Sequence, residues 1–139
     1  MTSEETRAEA PGGADCVLVA EGEVLVRMVI AQYLRDCGYK VIEAATTDEA
    51  VAVLEHPDFS VQVVLSDAEM RGRLDGFGFA QWVRQHKPGL PVILVGSPVR
   101  AAEAAADLCD DGPMVEKPYE PQIVVDRIRR LLAARPRPK

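Results

Sequence analysis

Short apolar runs alternate with stretches of helical periodicity along the whole chain, and this repeat restricts the fold more than any other feature. Val17-Leu18-Val19-Ala20, Val41-Ile42, Val61-Gln62-Val63-Val64-Leu65-Ser66, Pro91-Val92-Ile93-Leu94-Val95 and Pro113-Met114-Val115 read as five strands. The fourth run is apolar without interruption, as a central parallel strand buried on both faces requires. A first helix should begin near Glu23, carry Val26, Val29, Ile30, Tyr33 and Leu34 on one face, and stop before Gly38, which can adopt the left-handed end conformation. Thr46-Thr47-Asp48-Glu49 forms a capping box that opens a second helix through Leu54, and Pro57 helps end it. A third helix over residues 77–85 precedes Pro88-Gly89. An Ala-rich fourth covers residues 98–108, and Pro121 suits the first turn of a last helix through Leu132. Repeated strand and helix units of this kind imply a parallel sheet with right-handed crossovers.

At 139 residues with 47% hydrophobic content, the chain can bury one core and has no room for two. The expected organisation is a disordered arm over residues 1–14, a folded domain over 15–133 and a basic tail over 134–139. No apolar run approaches the length of a membrane span, and Met1-Thr2-Ser3-Glu4-Glu5 lacks the basic and apolar regions of a signal peptide, so the expected location is the cytoplasm. Cys16, Cys37 and Cys109 are odd in number, widely spaced and without a C-x-x-C pair; they read as small packing residues, not as a disulfide framework or a zinc site. The formal charge of −6 argues against nucleic-acid binding by the domain as a whole. Arg127, Arg129, Arg130, Arg135, Arg137 and Lys139 make the C-terminus basic, which reads as a solvated helix face followed by a Pro-broken tail. His56 and His86 are isolated beside prolines and read as surface residues.

Three features meet at one edge of such a sheet. The third strand delivers Asp67 at its C-terminal end, followed by a loop with Gly72 and Asp75-Gly76. The first strand runs into Glu21-Gly22-Glu23, and Lys117-Pro118 follows the fifth. In an open α/β sheet, ligands bind at the C-terminal ends of the strands. An acidic turn, a lone carboxylate and a lysine converging there point to divalent-metal and phosphoryl chemistry.

Taken in order, these stretches resemble the receiver domains of bacterial two-component response regulators. The matches are Val17 through Glu23, Arg35-Asp36-Cys37-Gly38-Tyr39-Lys40-Val41, Asp67-Ala68-Glu69-Met70, Leu74-Asp75-Gly76, Leu90-Pro91-Val92-Ile93 and Lys117-Pro118-Tyr119, covering residues 16–132. The loop before Asp75-Gly76, one residue longer than usual, is similar to that of small, often single-domain receivers. The resemblance implies a flavodoxin-like, doubly wound fold: a five-stranded parallel sheet with five helices. It also implies that Asp67 accepts a phosphoryl group from a sensor histidine kinase or phosphotransfer protein. Glu21 and the Glu69 backbone carbonyl would then join Asp67 in binding Mg²⁺, and Lys117 would hold a phosphoryl oxygen. A stand-alone receiver would act through protein contacts on residues 99–132, with a homodimer left open, and would be a signalling phosphoacceptor with at most self-phosphorylation and self-dephosphorylation. The chemistry needs these groups because a carboxylate attacks an anionic phosphorus poorly; charge neutralisation and in-line positioning are most of the task, and Mg²⁺ with oxygen ligands supplies both.

The chain also departs from that pattern. The second acid of the metal pair is Gly22, which Glu21 or Glu23 would have to replace, so Mg²⁺ binding is expected to be weak. The hydroxyl position after the fourth strand falls at Gly96, with Ser97 adjacent. Arg71 stands where a proline is usual, and Met114 where an aromatic residue often rotates inward. Gly22 and Gly96 favour an alternative, a pseudo-receiver that keeps the fold and signals without phosphate. A third reading takes Asp67-Ala68-Glu69 as the acid-x-acid motif of aspartyl-phosphate phosphohydrolases, but those place the motif on a first strand and need a further acidic motif or a cap.

Overall fold

A computed structural model describes residues 15–110 and Arg130. Within residues 15–110 four strands alternate with four helices: β1 (Cys16–Ala20), α1 (Val24–Asp36), β2 (Lys40–Ala44), α2 (Thr47–Glu55), β3 (Val63–Asp67), α3 (Gly76–His86), β4 (Val92–Val95) and α4 (Pro98–Asp110). The strand expected at 113–115, the last helix, the N-terminal arm, Lys117, Met114 and the basic tail lie outside the described residues. All pairings are parallel, in the order β2-β1-β3-β4. The doubly wound parallel α/β fold read from the sequence is therefore the fold observed.

The strand alternation builds two cores, one on each face. Val17, Val19 and Leu65 pack with Val26, Ile30 and Leu34 of α1 and with Ala101, Ala102, Ala105 and Ala106 of α4. Leu18, Ala20 and Val64 turn the other way, onto Ala50 and Leu54 of α2 and Phe79 and Val83 of α3. The small side chains of α4 let that helix approach the sheet and α1 closely.

Local signals set the element ends. Gly38 takes φ 100° after α1, where a side chain would be strained. Thr46 Oγ1 accepts from the Glu49 amide (3.1 Å), while Glu49 Oε1 accepts from the Ala45 amide (2.7 Å), one residue before the cap, so the capping box forms in slightly extended form. Asp75 caps α3 by accepting from the Gly78 amide at 2.7 Å.

Two of the three cysteines are not the separate packing residues expected from the sequence. Cys37 and Cys109, both fully buried, form a disulfide with a Cα–Cα distance of 5.6 Å. It ties the residue after α1 to the last turn of α4. A separation of 72 residues leaves no local pattern, so only the packing of α4 on α1 brings the pair together. Cys16 is a buried free thiol, as expected, and burial pushes its pKa up. His56 and His86 are exposed: His56 lies against Phe59, and His86 stacks on Trp82 with ring centroids 4.5 Å apart.

Candidate functional site

The register of β1 against β3 creates the site. Ala20 pairs with Ser66, so the next residues, Glu21 and Asp67, reach the C-terminal edge of the sheet side by side. From β1 the chain winds to β2 on one side and to β3 on the other, which makes the β1/β3 boundary the switch point where open α/β sheets leave a crevice. The crevice here is an opening of about 520 Å³ lined by Glu21, Gly22, Glu23, Ala45, Thr46, Asp67, Glu69, Arg71 and Pro98.

Asp67 is half-buried, and its Oδ1 accepts from the Glu69 amide at 3.0 Å, which fixes the carboxylate at the mouth. Glu21 is only 4% exposed, and its Oε2 accepts from the Glu23 amide at 2.9 Å. Burial raises the Glu21 pKa above the usual carboxylate range; the Asp67 and Glu23 charges push it the same way, and the hydrogen bond and Arg27 oppose them. Glu23 and Glu69 stand exposed at the rim. Gly22 contributes no carboxylate, and a Cβ there would meet only the Ala45 carbonyl at 3.6 Å, an ordinary contact.

Backbone packing holds these acids in place. A Cβ on Gly76 would fall onto the Asp67 carbonyl and the Ala68 backbone, so only glycine lets α3 start against the end of β3. The Gly76 amide donates to the Ala68 carbonyl at 3.2 Å, closing that turn. Two residues not among the expected site residues also brace the site. Arg27 donates through Nη1 to the Glu21 carbonyl (2.9 Å) and through Nε to Glu43 Oε1 (3.2 Å), holding the acidic turn from α1. Thr47, fully buried, donates to the Leu74 carbonyl at 2.6 Å and pins the loop after Asp67 to α2. A cation one turn into the helix that follows an acidic loop is a usable signal for Arg27. For Thr47 no such signal exists, because either hydroxyl of Thr46-Thr47 could have been the cap.

Gly96 and Ser97 follow Val95, the β4 residue paired with Asp67, at the same edge of the sheet. They line a neighbouring surface groove between β4 and α4, with Arg100, Glu103 and Asp107. Ser97 Oγ accepts from the Arg100 amide at 3.2 Å and so caps α4. Gly96 is exposed, and a Cβ there would meet nothing within 4 Å.

The model of the response regulator receiver domain matches residues 17–129. The chain belongs to the response-regulator receiver family. It is 33% identical over 121 residues to a probable transcriptional regulator, ycf27, of Cyanophora paradoxa, covering 84% of this chain and 47% of that protein. It is 29% identical over 122 residues to the transcriptional regulatory protein ResD of Bacillus subtilis, with the same coverage. This receiver thus spans about half the length of those curated relatives. Among solved structures, the receiver domain of NtrX from Brucella abortus superposes with a TM-score of 0.54 at 26% identity, covering 87% of this chain and all of that one. The chemotaxis response regulator CheY4 of Vibrio cholerae shares the fold, with a TM-score of 0.55 at 24% identity over 84% of this chain and 98% of that one. Members of the family are signalling phosphoacceptors, not enzymes in the ordinary sense. Among the described residues no helix of this receiver is long and apolar enough to cross a membrane.

Proposed function

We propose that this receiver accepts a phosphoryl group on Asp67 from a sensor histidine kinase or phosphotransfer protein and signals through protein contacts in the cytoplasm. The observation that carries the reading is the juxtaposition of Asp67 and Glu21 at the switch point, with Asp67 held by the Glu69 amide. In the transfer, an Asp67 carboxylate oxygen attacks phosphorus, the P–N bond to the donor imidazole breaks, and the imidazole nitrogen keeps the electron pair. Lys117 is assigned to a phosphoryl oxygen, and residues 99–132 to the output face.

The donor set suits Mg²⁺. Its members are hard oxygens, Glu21 is a buried carboxylate whose charge a cation would stabilise, and the opening has room for water. Among the described residues no three His, Cys, Asp or Glu side chains assemble into a cage. A cation held by Glu21, Asp67 and the Glu69 carbonyl, completed by water and phosphate, is the arrangement that fits Mg²⁺. Bound there, Mg²⁺ would neutralise charge on the phosphoryl oxygens.

Gly22 and Gly96 favour a second reading, a pseudo-receiver that signals without phosphate. Intact-protein mass after incubation with acetyl phosphate and Mg²⁺ decides between them. One added phosphoryl group, lost in Asp67→Asn and retained in Lys117→Ala, is the expected result. An unlabelled wild type, under conditions that modify a control receiver, would establish the pseudo-receiver.

A further inference from the structure

Arg71 is the only basic side chain among the described residues lining the opening over Asp67, where Glu21, Glu23, Asp67 and Glu69 supply four carboxylates. Its backbone is held in place. The Arg71 carbonyl accepts from the Thr47 amide at 2.8 Å, and Thr47 itself is fully buried. Met70, 5% exposed, anchors the preceding residue in the core shared by α2 and α3. Gly72 follows at φ 133°, and a Cβ there would collide with Thr47 Oγ1. The loop is thus fixed on both sides of Arg71, and its exposed side chain stands at the rim of the opening. No ion pair joins it to another described residue.

The charge inventory gives that placement a use. A phosphoryl group on Asp67 would add a further charge of about −1.5 to −2 to an opening already rich in carboxylates. Gly22, beside Glu21, brings neither a ligand nor a charge to help hold a neutralising cation. A guanidinium offers a planar fork of N–H donors that matches phosphoryl oxygens two at a time and stays charged at every relevant pH. We propose that Arg71 is a phosphoryl-contact residue of this receiver, its guanidinium reaching the group on Asp67 and supplying part of the neutralisation alongside Mg²⁺ and Lys117. The proposal rests on the phosphoacceptor reading above and adds to it a residue outside the acid pair and Lys117.

The test is a titration of the full chain with beryllofluoride at saturating Mg²⁺, followed by calorimetry and amide NMR, beside a separate Mg²⁺ titration without beryllofluoride. Loss of a charge-assisted contact should weaken beryllofluoride binding in Arg71→Ala by about 10- to 100-fold. Arg71→Lys, which keeps the charge and loses the fork, should fall between the two. Mg²⁺ affinity without beryllofluoride should hold or tighten in Arg71→Ala, since a cation leaves the rim. A purely structural role would instead move both titrations, with a lowered melting temperature. Unchanged beryllofluoride affinity in Arg71→Ala, with wild type binding normally, would overturn this assignment alone. Wild type that neither binds beryllofluoride nor is labelled by acetyl phosphate would overturn it together with the phosphoacceptor reading.

Discussion

Cys37 and Cys109 join the end of α1 to the last turn of α4 through a buried disulfide that closes 72 residues of chain. Between them lie β2, α2, β3, α3 and β4, so one covalent link encloses most of the described fold. Next to it, Tyr39 donates to the Leu108 carbonyl at 2.6 Å, a second tie on the same corner.

Removing that link should therefore be costly. By chain entropy, a closed span of 72 residues corresponds to roughly 4 kcal/mol. The double variant Cys37→Ser, Cys109→Ser, or reduction with dithiothreitol, should lower the melting temperature by roughly 10–20 °C. Thermal denaturation with and without reductant checks this, with thiol counting to confirm the redox state. Equal melting temperatures would show that packing of the alanine face of α4 on α1 suffices without the bond.

Glu21 gives the metal-free protein a distinctive pH response. Its folded-state pKa is raised above the ordinary 4.5, chiefly by burial. The folded state therefore binds this proton more tightly than the unfolded chain does. The favourable contribution is fully present below the unfolded value and is lost as pH rises through the raised folded value. At neutral pH, well above the unfolded value, that contribution is diminished and burial disfavours the charged form, so Glu21→Gln should make the apo protein more stable than wild type. The difference should shrink as pH falls towards 4.5. Urea melts across this range test the sign, and added Mg²⁺ should stabilise wild type more than the variant.

The fold was legible because the repeat of apolar and amphipathic segments fixes a parallel layered sheet whatever the details. Asp67 was legible for a related reason: it is the first charge after a buried strand, and β1 and β3 lie side by side. The turn at Asp75-Gly76 was visible, although the force behind Gly76 is the nearness of the Asp67 and Ala68 backbone, which no local pattern carries. The disulfide escaped because its cysteines are joined by tertiary packing alone. Thr47 escaped for the same reason: it bonds to a carbonyl of the loop after Asp67, and a backbone acceptor leaves no mark in the sequence, whereas Arg27 had a local signal in its place one turn after the acidic loop.

Gly22 is a position where a carboxylate can be added. The space around it is ordinary, and its φ is not in the left-handed region, so Gly22→Asp should fold without backbone strain. An extra acidic oxygen beside Glu21 and Asp67 should tighten Mg²⁺ binding by about tenfold or more, a gain of about 1.4 kcal/mol per factor of ten. The apo protein should lose stability in return, because a third carboxylate is crowded against two others. Calorimetric Mg²⁺ titration checks the first effect and metal-free melting the second. Equal affinities would mean that Glu21 or Glu23 already fills the place.

The last prediction concerns α4. A phosphoryl group can shift a two-state equilibrium only as far as it interacts differently with the two states. Gly96 offers no hydroxyl for such an interaction, and the Ser97 hydroxyl is committed to the α4 cap through the Arg100 amide. Recruiting Ser97 would cost about 1 kcal/mol of capping, which opposes the switch. Beryllofluoride on wild type should therefore move the amide resonances of Arg100, Glu103 and Asp107 little. Gly96→Thr places a hydroxyl where the structure has open space, and should enlarge those shifts without disturbing the fold. Amide NMR of both proteins, with and without beryllofluoride, makes the comparison. A large saturating change in wild type that Ser97→Ala abolishes would transfer the role to Ser97, with the cap bond broken as the helix moves.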